Sequence, residues 1–282
     1  MKSFFFRIRF LLVPFSLFLL SFPISAQKKS AQLDSVYEII KLKKIYELPI
    51  GDRITEIGKL FLGKPYQAFM LEGEKEELKY NFDKFDCVIF DELVISLAKI
   101  DSDTNCRKQF ENQLIQLRYR NSEISYQNRN HYFTDWMKQA EKNKILVILK
   151  PEGIAVQSDK VINFMSTHPK SYSKLADSAL YSAIQKREAE LTAEKFWYLP
   201  SEKINDWIYL LKNGDVICFV TKIEGLDIAH VGLVIIQENK PYLLNAPRSG
   251  IPVRINDKDL TDTLTKNPGY IGVMVGRLLS GQ

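Results

Sequence analysis

One cysteine lies where a polar, turn-forming segment becomes an apolar one, within "NFDKFDCVIFDELVISLAKI" at residues 81–100. Asp83 or Asp86 can cap a helix that begins here, which would place the Cys87 sulfur in the first helical turn. Backbone N–H groups and the helix dipole favour a thiolate at such a position. A catalytic nucleophile is one interpretation of Cys87, and a buried core thiol on an apolar helix is the other.

A cysteine nucleophile needs a base, and His230 is the candidate. It lies in "GLDIAHVGLVII", at the entrance of an apolar strand. The next strand, in "KPYLLNAPRSG", carries Asn245 just before a turn, and a hairpin through "QENK" would bring the two side chains together. The amide oxygen would then accept the imidazole N–H and fix its tautomer, and the order Cys, His, polar partner is the one a papain-like site requires. The alternative for His230 is a hydrogen-bonded residue at a sheet edge.

The other cysteines and histidines do not indicate a second chemistry. Cys218 lies among apolar residues in "DVICFV" and is predicted to be a core thiol. Cys106 lies near the first turn of another helix with no candidate base beside it, which favours a surface or disulfide cysteine, and its pairing with Cys218 stays open. The chain has three cysteines and three histidines, with no pair at metal-ligand spacing, so we expect neither a zinc site nor another cofactor.

The elements that must position these residues follow a simple order. Helical spacing of apolar residues occurs at 30–44, 52–62, 87–100, 104–119 and 173–189. Strand patterns bounded by turn signals occur at 215–220, 229–237, 240–246, 251–255 and 270–278. Helices first and strands last, without β-α-β alternation, predict an α+β fold in which the cysteine helix packs on a C-terminal antiparallel sheet.

Residues 1–26 have the pattern of a signal peptide. Lys2, Arg7 and Arg9 precede an apolar run at 10–22, and "ISA" then offers a small-residue cleavage site. The run is shorter than the roughly 20 residues that a membrane span needs. We therefore predict an exported protein, periplasmic or secreted, in which residues 27–282 form one domain without a membrane span.

The net charge bears on the class of partner, and the absence of linkers bears on the number of domains. The formal net charge of +5 includes the three cations of the signal peptide, and the remaining excess is too small to indicate a nucleic-acid partner. No Gly/Ser-rich or Pro-rich linker and no repeat divides the chain. We expect a monomeric protein.

Several short motifs together resemble the NlpC-type cell-wall cysteine amidases, which are relatives of papain. These motifs occur in the order "LGKPY", "FDC", "GDVICF", "AHVGLVI" and "LLNA", and they span residues 62–246. Further segments resemble one branch, the N-acetylmuramoyl-L-alanine amidase-like proteins of Bacteroidetes and other bacteria: "FDCVIFDE", "RNHYFTDW", "INFMSTH" and "GLDIAHVG".

The resemblance implies a papain-like fold and a metal-independent thiol mechanism. The implied reaction is hydrolysis of the amide between a muramyl sugar and the first alanine of the peptidoglycan stem, with small anhydro-muropeptides preferred over intact wall. Cys87 matches the family nucleophile, His230 the base, and Tyr66 a tyrosine that contributes to the oxyanion site. Asn245 stands where the family more often has a third histidine, and an asparagine can hold the base as it does in papain-like enzymes.

The residues after Cys87 bear on which bond is cut. Endopeptidase relatives continue "DC" with Ser-Gly, and their aspartate holds the free amino end of the stem; here Val88 and Ile89 follow Asp86 and Cys87. This departure favours the sugar–alanine amidase. A γ-D-glutamyl-diaminopimelate endopeptidase or an acyltransferase on the same scaffold remains an alternative, as does a peptidoglycan-binding protein that has lost catalysis.

Residues 101–200 are more than a compact member of this superfamily needs, so we expect them to shape a substrate cleft. "RNHYFTDW" places Asp135 beside Trp136, a polar group next to a flat ring that suits a sugar, and "INFMSTH" offers Ser166 and His168. With Asp86, these four are the predicted substrate-binding residues. Helix capping and core packing are the competing explanations for them, and core packing is our interpretation of His131.

Overall fold

The computed structural model describes residues 24–100 and 104–280, with side chains from residue 31 onward. Most of the predicted signal peptide therefore lies outside the described residues. Within the described part of the chain, no helix is both long and apolar enough to cross a membrane.

Helices form most of the first two thirds of the chain. They are α1 (Ile24–Leu42), α2 (Ile50–Lys59), α3 (Cys87–Ala98), α4 (Cys106–Arg118), α5 (Phe133–Lys142), α6 (Phe164–Thr167), α7 (Ser178–Glu194), α8 (Ile204–Trp207) and α9 (Leu260–Thr265).

The strands form one antiparallel sheet in the order β2-β3-β8-β4-β5-β6-β7, and β1 also pairs with β8. They are β1 (Leu146–Ile148), β2 (Val156–Gln157), β3 (Trp197–Pro200), β4 (Val216–Thr221), β5 (Ile228–Gln237), β6 (Lys240–Asn245), β7 (Arg254–Ile255) and β8 (Tyr270–Leu278). The predicted α+β class with an antiparallel sheet is confirmed.

Helix α3 is buried because its sequence leaves almost no polar face. Asp86 caps it by accepting from the backbone N–H of Ile89 at 2.8 Å, as the capping rule predicts. Its few polar side chains are enclosed too: Glu92 pairs with Arg118 at 2.7 Å, and both side chains are almost fully buried. The helix is thereby held between α2, α4 and the face of β5.

Apolar side chains cover both faces of the sheet. On one face, Phe90 and Leu93 of α3 share a core with Leu233 of β5. On the other face, Trp207 of α8 joins a second core that contains Phe219 of β4. Strands β4 and β5 are therefore buried on both faces. This packing fixes the position of the residues at the strand ends.

The structure differs from the sequence prediction mainly at short elements. Helix α7 begins five residues later than expected, because Asp177 caps it through Ala179 and Leu180. The predicted strand at 251–255 shrinks to β7. Strands β1 to β3 were not predicted, since they have only two to four residues each. They show that the segment 101–200 extends the same sheet.

Candidate active site

Cys87 is half-buried at the first position of α3. The backbone N–H groups of Val231 in β5 and of Val88 in its own helix lie near its sulfur and act to lower its pKa. Because Val231 directly follows His230, the packing of α3 on β5 places Cys87 beside the strand that carries His230. Sequence separates the two by more than half of the described chain.

His230 and Asn245 are neighbours through a tight hairpin. Glu238 and Asn239, which connect β5 to β6, both have positive φ, as in the turns that favour two-residue hairpins. The resulting register sets Leu233 opposite Leu244, so Asn245 follows on beside Gly232. His230 Nε2 lies 2.9 Å from Asn245 Oδ1.

Gly232 provides the space for this contact. A Cβ atom at position 232 would lie 2.8 Å from the Cβ of Asn245, which is closer than real Cβ atoms approach. The glycine of "HVGL" therefore lets the asparagine pack directly against the strand that carries His230.

A residue that the sequence analysis missed holds the asparagine in turn. Asn245 Nδ2 donates to Asn256 Oδ1 at 3.0 Å and to the carbonyl of Leu243 at 3.2 Å. Asn256 lies in the polar segment "INDKD", where nothing in the local pattern distinguishes it from a loop residue.

Tyr66 reaches the site through a short parallel bridge. It pairs with Phe85, and the backbone N–H of Gln67 donates to the carbonyl of Phe85 at 2.9 Å. The segment before α3 is thereby fixed beside "LGKPY". Burial, with smaller contributions from the charges of Cys87 and Asp86, raises the pKa of Tyr66 to about 12. Its hydroxyl is therefore protonated and able to donate at neutral pH.

The cysteine and histidine are both neutral at rest. Burial raises the pKa of Cys87 to about 12, assisted by the charge of Asp86, and this outweighs the opposing effect of the nearby Val231 and Val88 N–H groups. The expected thiolate at the helix start is thus overridden by desolvation. Burial also lowers the pKa of His230, and the hydrogen bond with Asn245 opposes that shift only in part.

Two carboxyl groups at the start of α3 lie close to the sulfur. Burial raises the pKa of Asp86 to about 6. Asp91, one helical turn further on, is fully buried, and among the described residues neither of its carboxyl oxygens has a hydrogen-bond partner. Burial raises its pKa well above the usual range, so Asp91 is a neutral acid beneath the site.

A row of rings lines the sheet beside the base. The Phe219 ring stacks on the His230 ring with centroids 6.0 Å apart. The Tyr270 ring also contacts the Phe219 ring, with centroids 4.7 Å apart. Burial raises the pKa of Tyr270, with the charge of Cys87 as a further cause. Tyr270 is thus a second phenol close to the nucleophile, and its place in a terminal strand gave no sign of this.

Asp135 and Trp136 do not fit the substrate-binding role predicted for them. Trp136 is 0% exposed, with its ring stacked on Phe133 at 4.7 Å, so it presents no face to a sugar. Asp135 is 2% exposed and is held by Arg187 at 2.7 Å and Arg120 at 2.8 Å. Core packing and a buried ion pair explain both residues.

Ser166 and His168 lie on and after α6, outside the group around Cys87. The Ser166 hydroxyl donates to the carbonyl of Asn163 at 3.2 Å, and His168 is exposed with its ring on Phe164. His131 contacts the carbonyl of Tyr126 at 2.7 Å, and its ring packs against the Tyr126 ring at an interplanar angle of 54°.

Two further points raised by the sequence are a disulfide between Cys106 and Cys218 and a metal site. Cys106 and Cys218 are not joined by a disulfide, and Cys218 is buried as predicted for a core thiol. Within residues 24–100 and 104–280, no group of three His, Cys, Asp or Glu side chains is arranged to hold a metal ion.

The chain is similar to several known proteins. A crystal structure of an N-acetylmuramoyl-L-alanine amidase from Bacteroides uniformis is 30% identical, with 82% of this chain and 99% of that chain covered and a TM-score of 0.75. A Bacteroides fragilis structure described as a candidate xylanase is 29% identical, with 78% and 98% covered and a TM-score of 0.74.

A protein from Legionella pneumophila is 23% identical, with 91% and 97% covered and a TM-score of 0.69; at this identity it shows the fold alone. Comparison with curated proteins gave no match. A family model described as AmiA-like, N-acetylmuramoyl-L-alanine amidase-like, matches residues 56–273, which is more than half of the chain. The chain therefore belongs to the AmiA-like family of N-acetylmuramoyl-L-alanine amidase-like proteins.

Proposed function

We propose that this protein is a cysteine-dependent amidase that hydrolyses the bond between N-acetylmuramic acid and L-alanine in peptidoglycan fragments. One arrangement supports the proposal above all. The Cys87 sulfur lies against the strand residue that follows His230, and Asn245 holds the far side of the His230 ring at 2.9 Å. Nucleophile, base and orienting group are then in the order that a thiol amidase needs.

The neutral dyad determines how the reaction starts. The Cys87 sulfur attacks the carbonyl of the muramyl lactyl group while His230 Nδ1 takes the thiol proton. The imidazolium then gives that proton to the alanine nitrogen, and the C–N bond breaks to release the stem peptide. A thioester between Cys87 and the sugar acid remains, and a water activated by His230 hydrolyses it.

The oxyanion of the tetrahedral intermediate needs donors beside the sulfur. The backbone N–H of Val88 lies at the start of α3, near the Cys87 sulfur. The Tyr66 hydroxyl remains protonated because of its raised pKa. Donors fixed in advance at the place where charge develops are often the largest contribution to such catalysis.

A glycosidase function, which the Bacteroides fragilis neighbour suggests, has weaker support here. Glycoside hydrolysis uses two carboxyl groups that flank the sugar. The carboxyls beside Cys87 are Asp86, which is committed to the cap of α3, and Asp91, which is fully buried. This pair cannot reach both sides of a glycosidic bond.

The preference for anhydro-muropeptides and the periplasmic or secreted location are also part of the proposal. They rest on the family and on the sequence of residues 1–26. Trp136 is enclosed, so the sugar contact is not assigned to it.

Incubation with defined muropeptides, followed by mass spectrometry of the products, tests the proposal. We expect a free muramyl sugar and an intact stem peptide, with Cys87→Ala as the inactive control. A cut within the stem would identify an endopeptidase, and transfer of the sugar acid to an added amine would identify an acyltransferase. Activity should survive EDTA and be lost on thiol alkylation; sensitivity to EDTA that zinc restores would contradict the thiol mechanism.

A further inference from the structure

The amide group of Asn245 is held in one of two orientations by its surroundings. Asn245 is 1% exposed, so both of its N–H groups need acceptors within the protein. The carbonyl of Leu243 and the side-chain oxygen of Asn256 supply them at 3.2 and 3.0 Å. The amide oxygen is then the atom that faces His230.

Asn256 is itself anchored to the sheet. It directly follows β7, and its backbone N–H donates to the carbonyl of Leu243 at 2.9 Å. This carbonyl also accepts from Asn245, so the three residues form one compact unit at the end of β6. The side chain of Asn256 lines a surface groove of about 390 Å³ and is half-buried.

We propose that Asn256 is a positioning residue, which sets the tautomer of His230 through the amide of Asn245. The Asn256 oxygen accepts from Asn245 Nδ2, and the Asn245 oxygen accepts from His230 Nε2–H. His230 Nδ1 is then unprotonated and can accept the thiol proton. The catalytic consequence rests on the proposed function, whereas the position of the ring proton does not.

The reversed amide shows why this matters. If Asn245 turned by half a rotation, its N–H₂ group would face His230 Nε2 and favour the tautomer with the proton on Nδ1. That imidazole could not accept a proton from Cys87. Reversal would also set the Asn245 oxygen against two acceptors, Leu243 O and Asn256 Oδ1, so the Asn256 oxygen opposes it.

The first test compares Asn256→Ala with Asn256→Asp. Alanine removes the acceptor, whereas aspartate keeps an oxygen at the same place. We expect ¹⁵N NMR of the imidazole to show Nε2–H in the wild-type protein and in Asn256→Asp, and a mixture of tautomers in Asn256→Ala. The His230 signals are assigned by their loss in His230→Gln.

The same variants have a kinetic counterpart. We expect Asn256→Ala to lower kcat at least tenfold with KM within twofold, and Asn256→Asp to recover most of the loss. Lys258→Ala is the matched control, because Lys258 lines the same groove without contacting Asn245. Wild-type tautomer and wild-type kcat in a folded Asn256→Ala protein would overturn the proposal.

A double variant tests the contact without relying on the alanine protein. In Asn245→Asp alone, the Asn256 amide can rotate and present its N–H₂ group, so only the hydrogen bond to the Leu243 carbonyl is lost. Asn245→Asp together with Asn256→Asp leaves two carboxylates face to face. We expect the double variant to lose at least tenfold more kcat than the product of the two single effects, and strict multiplicativity would refute the contact.

Failure of this inference is distinguishable from failure of the proposed function. If the tautomer shifts in Asn256→Ala but no muropeptide is cleaved by the wild-type protein, the positioning role stands and the amidase assignment falls. If muropeptides are cleaved but the tautomer is unchanged in Asn256→Ala, the amidase assignment stands and the positioning role falls.

Discussion

The Nε2 atom of His230 lies 2.9 Å from the Oδ1 atom of Asn245, across the hairpin that β5 and β6 form. The acceptor is an amide, so it fixes the ring without a charge to stabilise imidazolium. Burial leaves His230 with a pKa below its usual value, and the hydrogen bond with Asn245 opposes that shift only in part. Cys87 and His230 are therefore both neutral at neutral pH.

The pH dependence follows from these two neutral groups. Neutral His230 is the active form, so kcat/KM should fall as pH decreases through the lowered pKa, and the midpoint of this acid limb should lie below 6.5. The Cys87 pKa of about 12 adds no alkaline limb up to about pH 10. A pH–rate profile between 4 and 10 checks both statements, and an acid midpoint above 7 would contradict them.

Replacing Asn245 should alter the base without removing the nucleophile. Asn245→Ala takes away the acceptor of His230 Nε2–H and should cut kcat substantially, although less than loss of Cys87 does. Asn245→Asp adds a charge that stabilises imidazolium, so the acid limb should move to higher pH. Asn245→His, which restores the commoner family residue, should keep most activity.

The measurement for the Asn245 variants is kcat/KM against pH. If Asn245→Ala matches the wild-type protein at every pH, the orienting group lies elsewhere. A thermal melt of each variant separates loss of catalysis from loss of the fold.

Cys87 should be essential for turnover but not for stability. It is half-buried at the end of a helix that many other side chains hold, so Cys87→Ala and Cys87→Ser should leave the Tm nearly unchanged while activity is lost. Cys106→Ser, which removes another thiol away from His230, should keep wild-type activity. Turnover by Cys87→Ala within tenfold of wild type would end the thiol assignment.

The Tyr66 hydroxyl is expected to stabilise the oxyanion. Tyr66→Phe should lower kcat by roughly 10²–10³ with little change in KM, which is the typical cost of one lost donor. Steady-state kinetics of Tyr66→Phe and Tyr270→Phe side by side make the comparison sharp, since both phenols lie near Cys87. A rise in KM alone would make Tyr66 a binding residue, and a larger kcat loss in Tyr270→Phe would move the donor role to Tyr270.

Asp86 distinguishes the amidase from an endopeptidase. Asparagine caps helices as well as aspartate does, so Asp86→Asn keeps the start of α3 and removes only the charge. The pKa of Cys87 should fall, because the charge of Asp86 contributes to raising it. The pH dependence of Cys87 alkylation, followed by mass spectrometry, measures this shift.

The KM of Asp86→Asn gives the second half of that test. The sugar–alanine bond has no free stem amine beside it, so KM should stay within about twofold of wild type. A large increase in KM for substrates with a free amino end would instead indicate that Asp86 holds that amine, as the endopeptidase alternative requires.

The amino-acid sequence by itself determined the local parts of this protein. The cap at Asp86, the apolar helix after it and the hairpin that joins His230 to Asn245 depend on residues close together in the chain, and pattern rules describe such interactions well. The antiparallel α+β arrangement followed from the order of these elements. The family motifs around Cys87 and His230 were also visible without a structure.

Only the tertiary structure decided what lies beside these residues. Trp136 and Asp135 have the types of a sugar-binding pair, yet burial of α5 encloses the ring and sets Arg187 against the carboxylate. Asn256 follows β7 and contacts Asn245 because β7 pairs with β6. The Cys87 pKa is high because desolvation, which depends on every neighbour in space, exceeds the local effect of the helix start.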